Sequence, residues 1–276
     1  MNFKDKTVII TGGSQGVGAA TARAFARAGA NLVLVARTRK NLEALAEELR
    51  SETRVEIVPM DVSDIDACAN LFKKTEYEFG AVHVLVNNAG YHERGPVESV
   101  SAEDLGTMID VNLKAPILLS RMAIPYLREA GEGAIINVAS LAGRTPVPGA
   151  ATYSATKFGL RAFTLAVAEE LVGTNIKLAA LSPGPIDTGF IMDNIDNVTD
   201  LTFSQPLSTA EECADEILKL CGNDKRERSM PPISGFLTTL TYLLPPVGRA
   251  MRPLLEKKGR RVKRELKAAL HKRASS

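Results

Sequence analysis

Cysteine, histidine and long apolar runs are all scarce in this chain, and each shortage removes a class of protein. The three cysteines, Cys68, Cys213 and Cys221, form no CxxC pair and no even-numbered framework. That excludes a disulfide scaffold and reads as reduced thiols, buried as filler, in a cytosolic (cytoplasmic) protein. The three histidines, His83, His92 and His271, are far apart. His83 falls within an apolar run and His271 in a basic tail, so only His92 is placed to line the mouth of a site. No metal is implied. The chain opens Met1-Asn-Phe-Lys-Asp-Lys, with charges ahead of any apolar run, which argues against a secretory signal. Its one long uncharged stretch, 229–248, is bracketed by proline pairs that leave only twelve residues, 233–244. Twelve residues cannot span a bilayer as a helix. There is no internal repeat beyond a βα alternation and no low-complexity linker.

What remains is the material of one α/β domain. A length of 276 residues, 45% hydrophobic and 24% charged, is enough for a sizeable core and has globular composition. The net charge of +2 hides an asymmetry. Residues 249–276 hold eleven Lys/Arg against Glu256 and Glu265, a net +9, leaving 34 − 11 = 23 basic and 32 − 2 = 30 acidic residues elsewhere, a net −7. A mildly acidic body ending in a basic tail implies an anionic surface partner or a solvated helix. Nucleic acid is not that partner, because the basic stretch has no interleaved aromatics.

Short apolar runs alternate with helical patterns. Strands are expected at 7–10, 32–35, 55–58, 82–86, 134–138 and 176–181, with a last one near 228–230. Helices are expected at 16–28, 39–49, 65–79, 102–127 and 152–172. Near-continuous apolar strands with a helix between each pair imply a parallel sheet covered on both faces. The fold class expected is therefore α/β: a Rossmann-type, doubly wound parallel sheet in three layers, with a C-terminal helical extension. Ser101 and Thr209, each three residues before a carboxylate, read as helix caps. The irregular, polar segment 186–206 follows the carboxyl end of a strand, where a substrate lid would lie.

Four groups of residues carry chemistry. The turn Thr11-Gly-Gly-Ser-Gln-Gly16-Val-Gly18 follows the first strand and opens a helix. Gly12, Ser14, Gln15, Gly16, Val17 and Gly18 would let backbone approach a pyrophosphate, which the helix N-terminus then attracts. Twenty residues after Gly16, where an NAD site carries an acid for the ribose hydroxyl, stand Ala36 and Arg37. A guanidinium suits a 2′-phosphate, so NADP(H) is expected, with Arg37 its reader and Arg39 a helper. Tyr153 and Lys157 are spaced i, i+4 on one helix face, Ser140 stands thirteen residues upstream of Tyr153, and Asn112 comes earlier. An ammonium on the face of a phenol favours the phenolate. Lowering a tyrosine pKa of ~10 by ~2–3 units corresponds to about 3–4 kcal/mol. Such a pair could exchange a proton with a carbonyl oxygen as hydride moves to carbon.

These motifs resemble those of the short-chain dehydrogenase/reductase family in its single-domain, NADP-preferring form. The resemblance covers about residues 4–222. It rests on Thr11-Gly-x-x-x-Gly16-x-Gly18, Asp61-Val62, Asn87-Asn88-Ala89-Gly90, the Asn112/Ser140/Tyr153/Lys157 set, and Pro183-Gly184 with Thr188. It implies that Asp61 and Val62 hold the adenine, with Asn88, Ala89 and Gly90 beside the adenosine ribose. Ile186 and Thr188, after Pro183-Gly184, would fix the nicotinamide carboxamide. Tyr153 would be the acid/base, Lys157 would reach the nicotinamide ribose, and Ser140 would orient the substrate oxygen. Asn112 would kink its helix and hold a proton-relaying water. Homodimers built on the helices of Asn112 and Tyr153 are also implied.

The tail departs from that pattern, and the chain divides into 1–228, the cofactor-binding catalytic domain, and 229–276, an apolar then basic extension. Ile233, Phe236, Leu237, Leu240, Leu243 and Leu244 make one apolar helix face, and Leu254, Leu255, Val262, Leu266 and Leu270 a second stripe. Either the extension packs over the substrate cleft, or residues 233–273 contact an anionic membrane peripherally. An apolar element near the cleft implies a lipophilic carbonyl substrate: a 3-oxoacyl chain, a long-chain ketone or a sterol-like ring. Val8-Ile-Ile-Thr-Gly-Gly-Ser with Val35-Ala-Arg37 also looks like relatives that reduce a ketosphingoid base. The expectation is an NADP(H)-dependent oxidoreductase interconverting a carbonyl and a secondary alcohol. The alternative is an NADP-binding regulator or scaffold docking through its basic tail.

Overall fold

The computed structural model describes the backbone of residues 1–274 and the side chains through Leu270. The side chains of His271, Lys272 and Arg273, which entered the reading of the tail, lie outside the described residues, as do Ser275 and Ser276.

The apolar runs become β1 (Thr7–Thr11), β2 (Asn31–Ala36), β3 (Val55–Pro59), β4 (Val84–Asn87), β5 (Gly133–Val138), β6 (Ile176–Pro183) and β7 (Glu227–Met230). Among the described residues they form one seven-stranded sheet in the order β3-β2-β1-β4-β5-β6-β7, with every neighbouring pair parallel. Crossovers are made by α1 (Gly16–Arg27), α2 (Arg39–Leu49), α3 (Ile65–Phe79), α4 (Ala102–Ile109) with α5 (Ala115–Glu129), α6 (Ala151–Glu170) and α8 (Ala210–Gly222). The short α7 (Gly189–Met192) follows β6, and α9 (Pro232–Leu243) and α10 (Pro245–Ala274) complete the chain.

Alternate side chains of each strand point to opposite faces, so each strand feeds two cores. Val8, Ile10, Leu32 and Leu34 pack with α1, α2 and α8, whereas Ile9, Val33, Leu85 and Ile135 pack with α3 and α5. This is the three-layer sandwich expected from strands apolar on both sides. The order of strands reverses between β1 and β4, which opens a crevice at their carboxyl ends.

Two details differ from the sequence reading. β4 begins at Val84, so His83 precedes it instead of lying within it. His83 forms a joint: its Nδ1 accepts the Thr7 amide at 3.1 Å, and its own amide donates to the Thr7 carbonyl at 3.0 Å. The larger difference is α9. Its buried positions are Ser234, Gly235 and Thr238, while Ile233, Phe236, Leu237, Leu243 and Leu244 are exposed. Most of the apolar stripe therefore faces away from the fold, with Leu240 half-buried and Leu237 at the edge of a cleft. The cause is a close approach, since a Cβ on Gly235 would lie 2.2 Å from the Ser229 hydroxyl, and only a small-residue face fits there.

The second stripe divides: Leu254 is exposed and Leu255 lines a cleft, while the other three positions pack inward. Val262, Leu266 and Leu270 of α10 pack on Ile191, Ile195, Val198 and Phe203, so α10 lies across segment 186–206. Lys263 Nζ donates to the Val198 carbonyl at 2.6 Å and the Asp196 carbonyl at 3.0 Å. A Cβ on Gly259 would lie 1.7 Å from the Asp200 carbonyl oxygen, so backbone meets backbone.

Candidate active site

A cleft of about 1030 Å³ runs along the carboxyl edge of the sheet, from the Gly-rich turn at one end to α9 and α10 at the other. Gly12, Ser14, Gln15, Gly16, Val17, Arg37, Asp61, Val62, Asn88, Ala89, Gly90, Ser140, Tyr153, Lys157, Pro183, Gly184, Ile186 and Thr188 all line it. Gly18 and Asn112 lie behind the wall, outside the lining set.

The turn at the first end is held by two side chains that bond to its backbone. Thr11 Oγ1 accepts the amides of Asn88 and Ala89 at 3.0 and 3.1 Å, and Asn88 Nδ2 donates to the carbonyls of Thr11 and Gly12 at 3.0 and 3.2 Å. Gly12 has φ +63°, and a Cβ on Gly18 would lie 2.1 Å from the Gly12 carbonyl oxygen. Glycine is thus required for the turn to fold onto its helix. The N-terminus of α1 has no side-chain cap and no acid in its first turn, which leaves amide donors and a positive dipole end facing the cleft. Asp61 accepts from the amide and hydroxyl of Ser63 at 2.9 and 2.8 Å. Burial raises its pKa, but the two bonds from Ser63 and the nearby Arg37 outweigh burial and hold the carboxyl below its ordinary range. Arg39 pairs with Glu43 at 3.5 Å on the surface and does not line the cleft.

At the centre, Ser140 follows the end of β5 by two residues, and Tyr153 and Lys157 lie one turn apart on α6. The Ser140 hydroxyl lies close enough to the Tyr153 phenol to lower its pKa; it donates to the Pro183 carbonyl at 3.5 Å and accepts the Ala142 amide at 3.1 Å. Lys157 Nζ donates to the Val138 carbonyl at 2.8 Å and lies 5.6 Å from the centroid of the Tyr153 ring. Burial lowers the Lys157 pKa to about 8. The expected depression of the Tyr153 pKa by Lys157 is not what the structure shows. Burial pushes the phenol up, and the opposing influences are the nearby Ser140 hydroxyl and the Arg94 charge. The ammonium is turned to the Val138 carbonyl, so its charge serves that bond first.

Asn112 interrupts the long helical pattern expected at 102–127. Residues Asp110–Lys114 form a π-turn between α4 and α5, a wide turn common beside functional sites. The Asn112 side chain is fully buried and clasps the backbone of Tyr91, donating to its carbonyl at 2.6 Å and accepting its amide at 2.8 Å. Tyr91 in turn donates its hydroxyl to Asp104 at 2.6 Å. Asn112 therefore sets the path of the loop that follows β4.

That loop carries His92, which the sequence reading placed at the mouth of the site and which does line the cleft, and Arg94, which that reading left aside. His92 stacks on Tyr153 with centroids 4.1 Å apart and planes at 10°. Burial, with the charges of Arg94 and Lys157 adding, pushes its imidazole down to about 3. Phe190 of α7 lies 6.4 Å from Tyr153. The Arg94 guanidinium is 5.5 Å from the Phe190 ring and donates to the Phe190 carbonyl at 3.0 Å. Arg94 and Phe190 lie in segments without periodicity, where a charge reads as solvated, so no pattern could have flagged them. The far wall is formed by Leu237, Tyr242, Met251 and Leu255, with Arg249 and Arg252.

Beneath the cleft, Glu227 of β7 accepts from Arg161 at 2.8 and 2.9 Å, from Arg144 Nε at 3.0 Å and from the Ser182 hydroxyl at 3.0 Å. Arg144 also donates to Thr239 of α9 at 2.9 Å, tying the extension to the sheet. Burial raises the Glu227 pKa, but the two arginines prevail and hold it below its ordinary value.

Comparison with known proteins matches residues 6–198 to the model of the short chain dehydrogenase family. An uncharacterised oxidoreductase of Staphylococcus saprophyticus is 36% identical over 208 residues, 75% of this chain and 82% of that protein. Sulfoacetaldehyde reductase 2 of Chromohalobacter salexigens is 38% identical over 187 residues, 67% of this chain and 74% of that protein. Among solved structures, a metagenomic short-chain oxidoreductase in complex with NADP superposes with a TM-score of 0.71 at 31% identity. That match covers 83% of this chain and 98% of that one.

Proposed function

This chain belongs to the short chain dehydrogenase family, and on that premise we propose that it is an NADP(H)-dependent oxidoreductase interconverting a carbonyl and a secondary alcohol on a lipophilic substrate. The observation that carries the reading is the convergence of Ser140, Tyr153 and Lys157 midway along a cleft that begins at an uncapped helix N-terminus. The residues at that end suit NADP(H). Gly12 and Gly18 keep side chains out of the turn, the α1 amides offer donors to a pyrophosphate, and Arg37 offers a bidentate partner to a 2′-phosphate. Asp61, Val62, Asn88, Ala89 and Gly90 would border the adenosine, with Ile186 and Thr188 at the nicotinamide. Bound there, the dinucleotide supplies or accepts hydride.

The chain's own residues handle the proton. With its pKa raised by burial, the Tyr153 phenol is protonated at neutral pH, the state in which it donates to a carbonyl oxygen during reduction. Ser140, beside that phenol in the cleft, would steady the same oxygen, supplying part of the stabilisation of developing charge. Arg94, whose charge opposes the effect of burial on the phenol, places positive charge where a phenolate would form, while Lys157 lies beside the ring face and is hydrogen-bonded to the Val138 carbonyl. Asn112 acts at one remove by holding the Tyr91 backbone. The apolar part of the far wall, Leu237, Tyr242, Met251 and Leu255 beside Arg249 and Arg252, supports a lipophilic substrate. A homodimer built on the helices of Asn112 and Tyr153 is part of the same reading.

Loss of NADPH absorbance, measured over ketones graded by chain length and ring content, with NADH in parallel, tests it. Turnover should rise with apolar size and require NADPH. Tyr153→Phe should lower turnover about 10²- to 10⁴-fold while leaving NADPH binding intact. Full turnover by that variant would overturn the mechanism.

A further inference from the structure

Helix α9 presents its polar, small-residue face to the protein and its apolar face to the outside. Ser234, Gly235 and Thr238 are inward, whereas Ile233, Phe236 and Leu243 are 68%, 67% and 67% exposed. A helix face of that kind left in water is unusual, since burial of an apolar stripe is what normally holds a surface helix to its domain. The exposure is also concentrated. Of the fourteen exposed large apolar side chains among the described residues, eight fall within residues 233–254, so this is one patch and not the ordinary scatter of a soluble surface.

The patch continues onto α10 and changes character there. Leu254 is 71% exposed; Lys257, Lys258 and Arg261 follow it at i+3, i+4 and i+7 and so share its outward face. The opposite face of α10 is occupied by Val262, Leu266 and Leu270 on the lid cluster. Of the outward cations, Lys257 and Lys258 have no ion pair among the described residues. An apolar patch bordered by unpaired cations is the profile of an interfacial helix on anionic lipid. A second copy of the chain fits less well, because a two-fold contact would bring each cationic border against its own image. No helix among the described residues is long and apolar enough to cross a membrane, so any contact lies in the interface plane.

We propose that the outward faces of α9 and α10 dock this protein onto an anionic bilayer, with the mouth of the cleft turned toward the lipid. The two faces and the cleft share their elements. Leu237 and Tyr242 of α9, and Leu255 of α10, line the cleft, while Phe236 and Leu243 lie next to them in sequence on the exposed side. The docking stands on this surface; its use as a route for substrate rests on the reading of a lipophilic carbonyl. A substrate dissolved in the bilayer would reach Tyr153 between α9 and α7 without crossing water.

Co-sedimentation of the full chain with vesicles tests the docking. Vesicles of phosphatidylcholine alone are compared with vesicles containing roughly one-third phosphatidylserine, at low and high salt. Wild type should bind the anionic vesicles at least about tenfold more tightly than the neutral ones, with the difference shrinking in salt. Phe236→Gln/Leu243→Gln should lose about tenfold, and Lys257→Glu/Lys258→Glu should lose the preference for anionic lipid. None of these side chains lines the cleft, so NADPH-dependent turnover of a water-soluble ketone without vesicles should match wild type in both variants. Equal vesicle binding by wild type and the glutamine variant would overturn the docking. So would a dimer in solution that the glutamine variant abolishes, which would assign the patch to a second copy. Vesicle binding without turnover of any ketone would instead sink the proposed reaction and leave the docking in place.

Discussion

At the nucleotide end of the cleft the wall is largely backbone. At the far end it is side chains carried by elements that depart from the common plan. The first end is made by a turn in which Gly12 and Gly18 touch, clasped by Thr11 and Asn88 from neighbouring strands. Its geometry follows from which residue types can be there at all, and very little else could occupy it. The second end is made by α7, α9 and α10, held through an ion network at Glu227, a glycine contact at Gly259 and one apolar cluster. Those contacts specify how the extension packs without restricting what lines the pocket. A cofactor pocket can thus be kept while a substrate pocket is rebuilt by changing the elements that cover it.

The contrast can be broken most severely at Glu227. Glu227→Gln leaves Arg144 and Arg161 half-buried against a neutral amide, and loss of one partner from such a network costs about 3–5 kcal/mol. Denaturant unfolding should show that loss. If the two ends are built independently, NADPH affinity in the folded variant should be retained. A Glu227→Gln protein as stable as wild type would mean that the network does not hold the extension. The sign with pH follows from the depressed carboxyl. Its contribution is complete above the ordinary glutamate value of about 4.3 and disappears as pH falls through the lower folded value.

A smaller effect is expected at the nucleotide end. Arg37→Ala removes one charge-assisted contact, about 1.5–3 kcal/mol, so preference for NADPH over NADH should fall roughly 10- to 100-fold. NADH turnover and stability should stay near wild type. An unchanged preference would show that another residue reads the phosphate.

The mildest test separates the ends by pH. His92, stacked on Tyr153, is held neutral down to about 3. The unfolded chain takes up that proton near pH 6.5, and stability therefore declines as pH falls from about 6.5 toward 3. The slope is at most about 1.4 kcal/mol per pH unit. His92→Gln should flatten the decline between about pH 6 and 5, a range in which Glu227 is still ionised. Identical acid profiles for the two proteins would remove His92 from the account.

The same division decides how much could be read in advance. All seven strands, the helices that cross between them and the caps at Ser101 and Thr209 announce themselves through apolar runs, periodicity and hydroxyl-carboxylate spacing, and each appears. Lys157, spaced i, i+4 from Tyr153, faces the same cleft because helical geometry alone requires it. The role of Asn112 was only half legible. A break in its helix was expected, but its grip on Tyr91 depends on a loop whose path no local pattern encodes. Arg94 and Phe190 were invisible for the same reason. The apolar face of α9 was legible in pattern but its placement was left open, because spacing reveals that an apolar face exists and not which way it turns; most of it is exposed, while Leu237 and Tyr242 line the cleft.

The sequence by itself determined the order of elements, the glycine turn and the residue types around Tyr153, since these rest on backbone sterics and on spacing within single helices and strands. Only the tertiary structure decided that burial raises the Tyr153 pKa, that His92 and Arg94 close over the phenol, and that the small face of α9 packs inward at Ser229. Desolvation, ring stacking and close backbone approach join residues far apart in the chain, and those distances exist only once the sheet has brought its carboxyl ends together.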